Sequence, residues 1–201
     1  MQLFYSPTSP YARNVLLAMD HHALRGKIDL KIVNPLDDPE DLRAANPLGK
    51  VPALLLDDGR VLYDSITIIH ALNEIGMATN LFDSDHLPKF EPMRLFALAN
   101  GILDLAVAWR LESTRPENEQ SDLWQQRRLR GIEQALEEMA RSLPEKSTLQ
   151  SIVEISYGVS LDYLDFRLGF LNWPEKYPLL AEWVAPLLLT RPFTDTDPRK
   201  A

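Results

Sequence analysis

The stretch from Asn46 to Ile69, NPLGKVPALLLDDGRVLYDSITII, constrains the fold more than any other part of the chain. Val51-Pro52 stands directly before an apolar run, Ala53-Leu54-Leu55-Leu56. Proline cannot donate to a sheet ladder, so at the mouth of a strand it marks a bend. Asp57-Asp58-Gly59 is a hairpin-type turn, and Val61-Leu62-Tyr63 returns as a second short strand. Asp64-Ser65 then opens a helical pattern with Ile66, Ile69 and Leu72 on one side. X-Pro bonds reach the cis form for about 0.5–1 kcal/mol. A cis bond at Pro52 turns the Val51 N–H and C=O outward, where another peptide backbone can pair with them. Ser65 at the helix start caps one free N–H and leaves its neighbours open to an anion. These features suit a small peptide carrying a free carboxylate. The same residues also describe an ordinary hairpin followed by a capped helix.

Upstream, Gln2-Leu3-Phe4-Tyr5 is a short strand and Ser6 to Pro10 a loop. A helix from Tyr11 to His22 follows, with Ser9 as N-cap and Pro10 at the first helical position. Ile28 to Val33 alternates as a strand, and a short helical turn from Pro39 to Ala45 leads back to the opening stretch. The order is strand, helix, strand, short helix, strand, strand, helix. It predicts a parallel βαβ pair followed by an antiparallel hairpin.

Past Gly76 the character changes. Met77 to His86 is a polar connection, and no alternating strand follows. Helices are expected over Pro88 to Leu111 and Gln120 to Arg141. Another should run from the capping box Ser151-x-x-Glu154 to about Arg167, and one after Pro178 should kink or end at Pro186. The tail from Thr190 reads as polar and Pro-bearing. The expected division is residues 1–76, a linker at 77–86, and an all-helical part from 87 to 201.

A hydrophobic share of 45% beside 25% charged residues supports a packed core rather than disorder. The net charge is 21 − 29 = −8, which argues against nucleic acid or an anionic membrane as partner. No basic N-terminal region precedes a long apolar segment and nothing approaches a membrane span, so a soluble, cytoplasmic protein is expected. The chain has no cysteine, which removes any chemistry through its own thiol. The four histidines, His21, His22, His70 and His86, show no ligand spacing, so no metal site is expected; His21-His22 near a helix C-terminus suit its dipole.

The motifs in sequence order are Ser9-Pro10-x-x-Arg13-x-Val15, Asn46-Pro47-x-Gly49-Lys50-Val51-Pro52-x-Leu54 and Asp64-Ser65-x-x-Ile68. The capping-box helix, Tyr163-Leu164-Asp165-Phe166-Arg167 and Arg191-Pro192 follow. In this order and spacing the chain resembles the glutathione transferase family over essentially its whole length. The resemblance implies an α/β thioredoxin-like N-terminal domain (βαβαββα) that holds glutathione as co-substrate, followed by an all-α C-terminal domain. It implies that Val51 pairs its backbone with the cysteinyl part, that Pro52 is the cis proline, and that Ser65 binds the γ-glutamyl carboxylate. Lys50 then faces the glycyl carboxylate. Asp64 departs from the Glu or Gln more usual before that serine, which bears on how the γ-glutamyl ammonium is held.

Activation requires a glutathione thiolate near neutral pH. Ser9-Pro10-Tyr11 resembles the segment of serine-type members, whose serine stabilises the thiolate from the positive end of a helix. Tyr5 resembles the tyrosine of tyrosine-type members and ranks second, with the adjacent Ser6 third. Arg13 adds positive charge one turn into the helix. Asp104 is a candidate to reach the glutathione ammonium of a partner subunit in a homodimer. The electrophile pocket is expected to draw on Tyr11, Leu103, Val107 and Trp109. Members with Cys in place of Ser9 carry out thiol-disulfide exchange through it, which this chain cannot. The expected activity is glutathione conjugation to a hydrophobic electrophile, as in detoxification, with reduction of organic hydroperoxides beside it. Glutathione-dependent isomerase or dehalogenase chemistry, or a non-catalytic ligand-binding role, are the rival expectations.

Overall fold

The computed structural model describes residues 1–143 and 150–201. They form two compact units: Met1–Asp83 with Thr190–Ala201, and Ser84–Leu189.

The first unit carries the expected thioredoxin-like order: β1 (Gln2–Tyr5), α1 (Pro10–His21), β2 (Asp29–Ile32), α2 (Glu40–Ala45), β3 (Ala53–Leu55), β4 (Val61–Leu62) and α3 (Ser65–Ile75). The sheet order is β2-β1-β3-β4. β1 and β2 run parallel, joined by α1 as crossover, while β3 is antiparallel to both β1 and β4. Side chains alternate across a strand. Phe4 and its register partner Ala53 therefore share one face, packed with Leu42 of α2, Val33 and Val51. Leu3 and Leu54 share the opposite face and are fully buried. Among the helices of this unit, α1 and α3 pack against each other, with Val15, Leu16, Met19, Ile68, Ile69 and Leu72 buried.

The last twelve residues, Thr190–Ala201, group with this unit, and they are not unstructured. They contain a short helix, Arg191–Asp195, and a final 3-10 turn, Pro198–Lys200. Pro192 sits in the first turn, where a missing N–H costs nothing. Phe193 is the apolar anchor, 1% exposed.

The second unit is helical: α4 (Glu91–Glu112), α5 (Asp122–Arg141), α6 (Ile152–Leu168), α7 (Trp173–Lys176) and α8 (Pro178–Leu188); the C-terminal Arg191–Asp195 helix is α9. α6 is the central element, with every residue from Ile152 to Leu164 buried, and α4 packs on both α5 and α6. Its capping box is complete: the Glu154 amide donates to Ser151 Oγ at 3.3 Å, and the Ser151 amide donates to the Glu154 carboxylate at 3.1 Å. α8 continues through Pro186 to Leu188, so of the expected kink or end the end does not occur at Pro186. Only the bond to the carbonyl four residues back is lost; Glu182 and Pro186 are exposed, so water can take it up. Val184 and Leu187, both buried, hold the last turn down. Among the described residues no helix is long and apolar enough to cross a membrane.

Candidate functional site

The register of the sheet brings four chain segments to one end of the first unit. β1 and β2 run parallel, so the loop after Tyr5 and the segment after Ile32 leave at the same end. β3 is antiparallel to β1 with Phe4 opposite Ala53, so Val51-Pro52 enters at that end too. β4 reverses again, with Leu54 opposite Leu62, and delivers Tyr63, Asp64 and Ser65 there. Ser9, Lys50, Val51, Pro52, Asp64 and Ser65, which stand up to 56 residues apart, are thus gathered by topology alone.

Asn46 shapes the approach to Val51. Its backbone carbonyl accepts from Gly49 N–H at 2.8 Å, its Oδ1 accepts from Leu48 N–H at 3.1 Å, and its Nδ2 donates to the Lys50 carbonyl at 2.8 Å. Gly49 takes a φ of 62°, a left-handed conformation that glycine adopts without a Cβ penalty. Asn46 is itself only 2% exposed. The Asn-Pro-x-Gly turn chemistry was visible in the sequence, but the part Asn46 plays in it was not foreseen. The Val51-Pro52 bond that follows is cis. Val51 is buried, yet among the described residues its N–H and C=O make no hydrogen bond. A backbone donor and acceptor left open on one residue are groups with which a ligand backbone can pair. Lys50 is exposed beside them and forms no ion pair among the described residues.

At the start of α3 the assignment of roles shifts by one residue. Asp64, not Ser65, is the N-cap residue, and its side chain makes no cap hydrogen bond. Ser65 is the first residue of the helix, 3% exposed, with no hydrogen bond from its hydroxyl among the described residues. The expected serine cap is therefore absent. What replaces it is a helix N-terminus whose first N–H groups and an adjacent hydroxyl are all available to an anion. Asp64 is exposed next to them.

Ser9 caps α1 as expected: its Oγ accepts from the Ala12 amide at 3.3 Å. That contact uses a lone pair and leaves the hydroxyl proton to donate elsewhere. Ser6 is differently placed, with its Oγ 3.3 Å from Thr8 Oγ1. Tyr5 is half-buried at the end of β1, and its carbonyl accepts from Val33. Arg13, one turn into α1, is buried rather than on the surface. It is 4% exposed, donates from Nε to Thr196 Oγ1 at 3.1 Å and from a terminal nitrogen to the Phe193 carbonyl at 3.0 Å, and lies 5.0 Å from the Phe193 ring centre. Asp104 belongs to the second unit, exposed on α4.

His21 ends α1 in its last turn, where the dipole expectation placed it, whereas His22, the C-cap residue, is buried and does not serve as a charged dipole partner, and for His22 that expectation is corrected. His21 Nε2 lies 2.9 Å from the Thr79 carbonyl. His22 is buried, with Nε2 2.9 Å from Asn73 Oδ1, which also accepts from the Leu81 amide at 3.1 Å. Because Asn73 Oδ1 can only accept, Nε2 carries the proton. Nδ1 is then an acceptor with no partner among the described residues. Burial holds the His22 pKa below its ordinary value, opposed by the Asn73 hydrogen bond and assisted by His21. Among the described residues no cluster of three or more His, Asp or Glu side chains is arranged to hold a metal ion.

Residues 8–75 match the family described as "Glutathione S-transferase, N-terminal domain". With 31% identity and a TM-score of 0.89 over 98% of both chains, the structure is similar to a glutathione transferase family member from Pseudomonas fluorescens Pf-5, crystallised with bound glutathione. A glutathione S-transferase from Methylobacillus flagellatus KT, also crystallised with glutathione, is 34% identical with a TM-score of 0.86 over 98% of each chain. The uncharacterized GST-like protein YibF of Escherichia coli (strain K12) is 29% identical over 206 residues, covering 100% of both.

Proposed function

Because the chain belongs to the glutathione S-transferase family, we propose that it holds glutathione at the loop end of the first unit and transfers the glutathione sulfur to a hydrophobic electrophile. In this reading Val51 pairs its N–H and C=O with the cysteinyl part, and Pro52 sets the direction of that edge. Ser65 and the free N–H groups of α3 take the γ-glutamyl carboxylate. Lys50 faces the glycyl carboxylate. Asp64 meets the γ-glutamyl ammonium, and Asp104 of a partner subunit in a two-fold homodimer completes its surroundings. Arg13 contributes positive charge from within α1.

The chain has no cysteine, so the reacting sulfur is that of glutathione. A free thiol titrates near 8.5 and is mostly protonated at neutral pH. Ser9 donates its hydroxyl proton to the sulfur, and the positive end of α1 favours the anion. Each pKa unit gained this way stabilises the thiolate by about 1.4 kcal/mol. The thiol proton leaves to solvent. The thiolate lone pair then forms an S–C bond to the electrophile while the leaving group departs with its electron pair. With a hydroperoxide the same thiolate attacks the terminal oxygen, the O–O bond breaks, and the alkoxide takes a proton from solvent and leaves as the alcohol. The sulfenic acid formed is resolved by a second glutathione to disulfide and water. Isomerisation and dehalogenation can begin from the same thiolate.

The observation that carries this reading is that Ser9 Oγ accepts from Ala12 and so keeps its proton to donate, at the end of the sheet where Val51 presents unpaired backbone groups. The test is a pH titration of the thiolate absorbance of bound glutathione in wild type and Ser9→Ala, with turnover of a chlorinated nitroaromatic measured alongside. Ser9→Ala should raise the thiol pKa by about one unit or more and lower turnover while glutathione still binds. An unchanged titration in Ser9→Ala, with loss in Tyr5→Phe or Ser6→Ala, would move the role to that residue. Tight binding without turnover on a broad electrophile panel would favour a non-catalytic binding protein.

A further inference from the structure

Three of the chain's four histidines meet one short segment, residues 79–82, just before the helical unit begins at Ser84. His21 Nε2 lies 2.9 Å from the Thr79 carbonyl and, since a carbonyl only accepts, donates to it. Asn73 Oδ1 accepts from the Leu81 amide at 3.1 Å and from His22 Nε2 at 2.9 Å. The His70 and Phe82 rings stack, 14° from parallel with centres 4.4 Å apart. The Leu81 side chain, 0% exposed, is the apolar anchor of the segment.

His22 is the member of this set that cannot take a second proton in place. Its Nε2 proton is committed to Asn73, and its Nδ1 is buried without a partner among the described residues. That edge of the ring lies against Gly76, so closely that a Cβ there would fall 2.3 Å from Nδ1. A proton on Nδ1 would bury a charged N–H with nothing to accept it, which costs far more than leaving the ring neutral. Among the described residues the one charged or titratable group that bears on His22 is His21, with ring centres 4.7 Å apart, and a charge there would repel. Asp20 is engaged by Arg25 at 2.7 and 3.0 Å, Glu74 of α3 and Asp83 are exposed, and His70 faces Phe82. The other two histidines tolerate charge: His21 donates from Nε2 in either state, and His70 is exposed.

We propose that residues 79–82 form a latch that acid opens: a second proton on His22 drives its ring from its place against Gly76, and Asn73 and the Leu81 amide part with it. Above about pH 6.5 the ring is neutral and the segment stays docked. As the pH falls below that value the open form, which binds the extra proton, gains by at most about tenfold per pH unit. Burial holds the His22 pKa below its ordinary value, the direction this requires. The latch concerns contacts within the first unit and stands whether or not the chain turns over glutathione.

Amide hydrogen exchange of the full chain tests it, with each rate divided by the intrinsic rate at the same pH. The Leu81 amide should lose about threefold or more of its protection between about pH 7.5 and 5.5. Its exchange should change little with low urea, as a local opening does, while amides in the middle of α1 follow urea as global unfolding does. His22→Gln keeps a donor for Asn73 but takes no proton, and should hold the Leu81 protection constant to within about 1.5-fold over that range. His86→Gln, at an exposed position, should keep the wild-type pH dependence. If His22→Gln fails to fold, the wild-type His22 ring is titrated by carbon-13 NMR, and its midpoint should match that of the Leu81 loss. Leu81 protection that ignores pH, that falls equally in His22→Gln, or that follows urea as steeply as α1 would each overturn the proposal. A pH dependence lost in His86→Gln as well, or mismatched midpoints, would overturn it too.

Discussion

Arg13 is predicted to act first on stability, and the magnitude follows from its contacts. The guanidinium is 4% exposed, and among its contacts it donates to Thr196 Oγ1 and to the Phe193 carbonyl of the C-terminal segment. It also stacks over Phe193. Hydrogen bonds from a charged donor are worth about 1.5–3 kcal/mol each, so these two bonds alone put about 3–6 kcal/mol gross at stake in Arg13→Met. Part of this returns. Met fills much of the space, the cost of burying a guanidinium disappears, and the Phe193 carbonyl keeps the Thr196 hydroxyl at 3.4 Å. A net loss of about 2–4 kcal/mol is expected, or a fall of roughly 5–15 °C in the thermal midpoint for a chain of this size. The exposed pair Arg191–Asp195, at 3.2 Å, is the control: Arg191→Met should cost less than about 1 kcal/mol. Thermal unfolding followed by circular dichroism gives the size of the effect, and amide hydrogen exchange gives its place. The amides of α9 should lose protection while those of α6 keep theirs. A midpoint unchanged within about 1 °C together with protected α9 amides would show that the Arg13 contacts do not hold the C-terminal segment.

Ser65→Ala should weaken glutathione binding by roughly tenfold or more, the worth of a hydrogen bond to a charged group, with little change in thermal midpoint; calorimetry reads the first and circular dichroism the second. Gly76→Ala should destabilise by about 1–3 kcal/mol, because its Cβ would fall 2.3 Å from His22 Nδ1 and 2.4 Å from Cγ, and a buried ring has little room to retreat. A denaturation midpoint equal to wild type would show that the ring yields freely. His22 predicts a pH dependence. Its folded pKa lies below the ordinary 6.5, so the unfolded chain binds more protons once the pH drops to that value. Stability should therefore be complete above about pH 6.5 and decline as the pH falls from there towards the folded pKa, and His22→Gln should flatten that part of the profile. Urea denaturation at a series of pH values measures both curves, and equal slopes would remove His22 as the cause.

The order of elements in the first unit was legible because each strand is bounded by strong local signals. Pro52 and Gly59 bracket β3, and Ser9-Pro10 starts α1 where expected. The capping box of α6 was equally plain, since both of its bonds are local. What escaped depended on distant partners. Arg13 is separated from Thr196 by 183 positions, and no spacing rule links them. α9 is five residues long and held by one buried ring, too short for periodicity to reveal. α8 survives Pro186 because of what its last turn buries, which a local propensity does not contain. Around the candidate site, the cis bend at Val51-Pro52 and the helix start after Tyr63 were legible, yet which residue caps α3 was not. Asp64 and Ser65 are both good N-caps in sequence, and only the backbone conformation separates them. His22 looked like a surface cation at a helix end until burial against Gly76 and Asn73 was seen.

The central claim is that Ser9 supplies the hydrogen bond that makes the glutathione sulfur reactive. A crystal structure of the full chain with glutathione tests it most directly. The account predicts Ser9 Oγ within hydrogen-bond reach of the sulfur, with the cysteinyl backbone paired to Val51 and the γ-glutamyl carboxylate at Ser65. A sulfur in contact with Tyr5 or Ser6 instead, or with no hydroxyl at all, would contradict it.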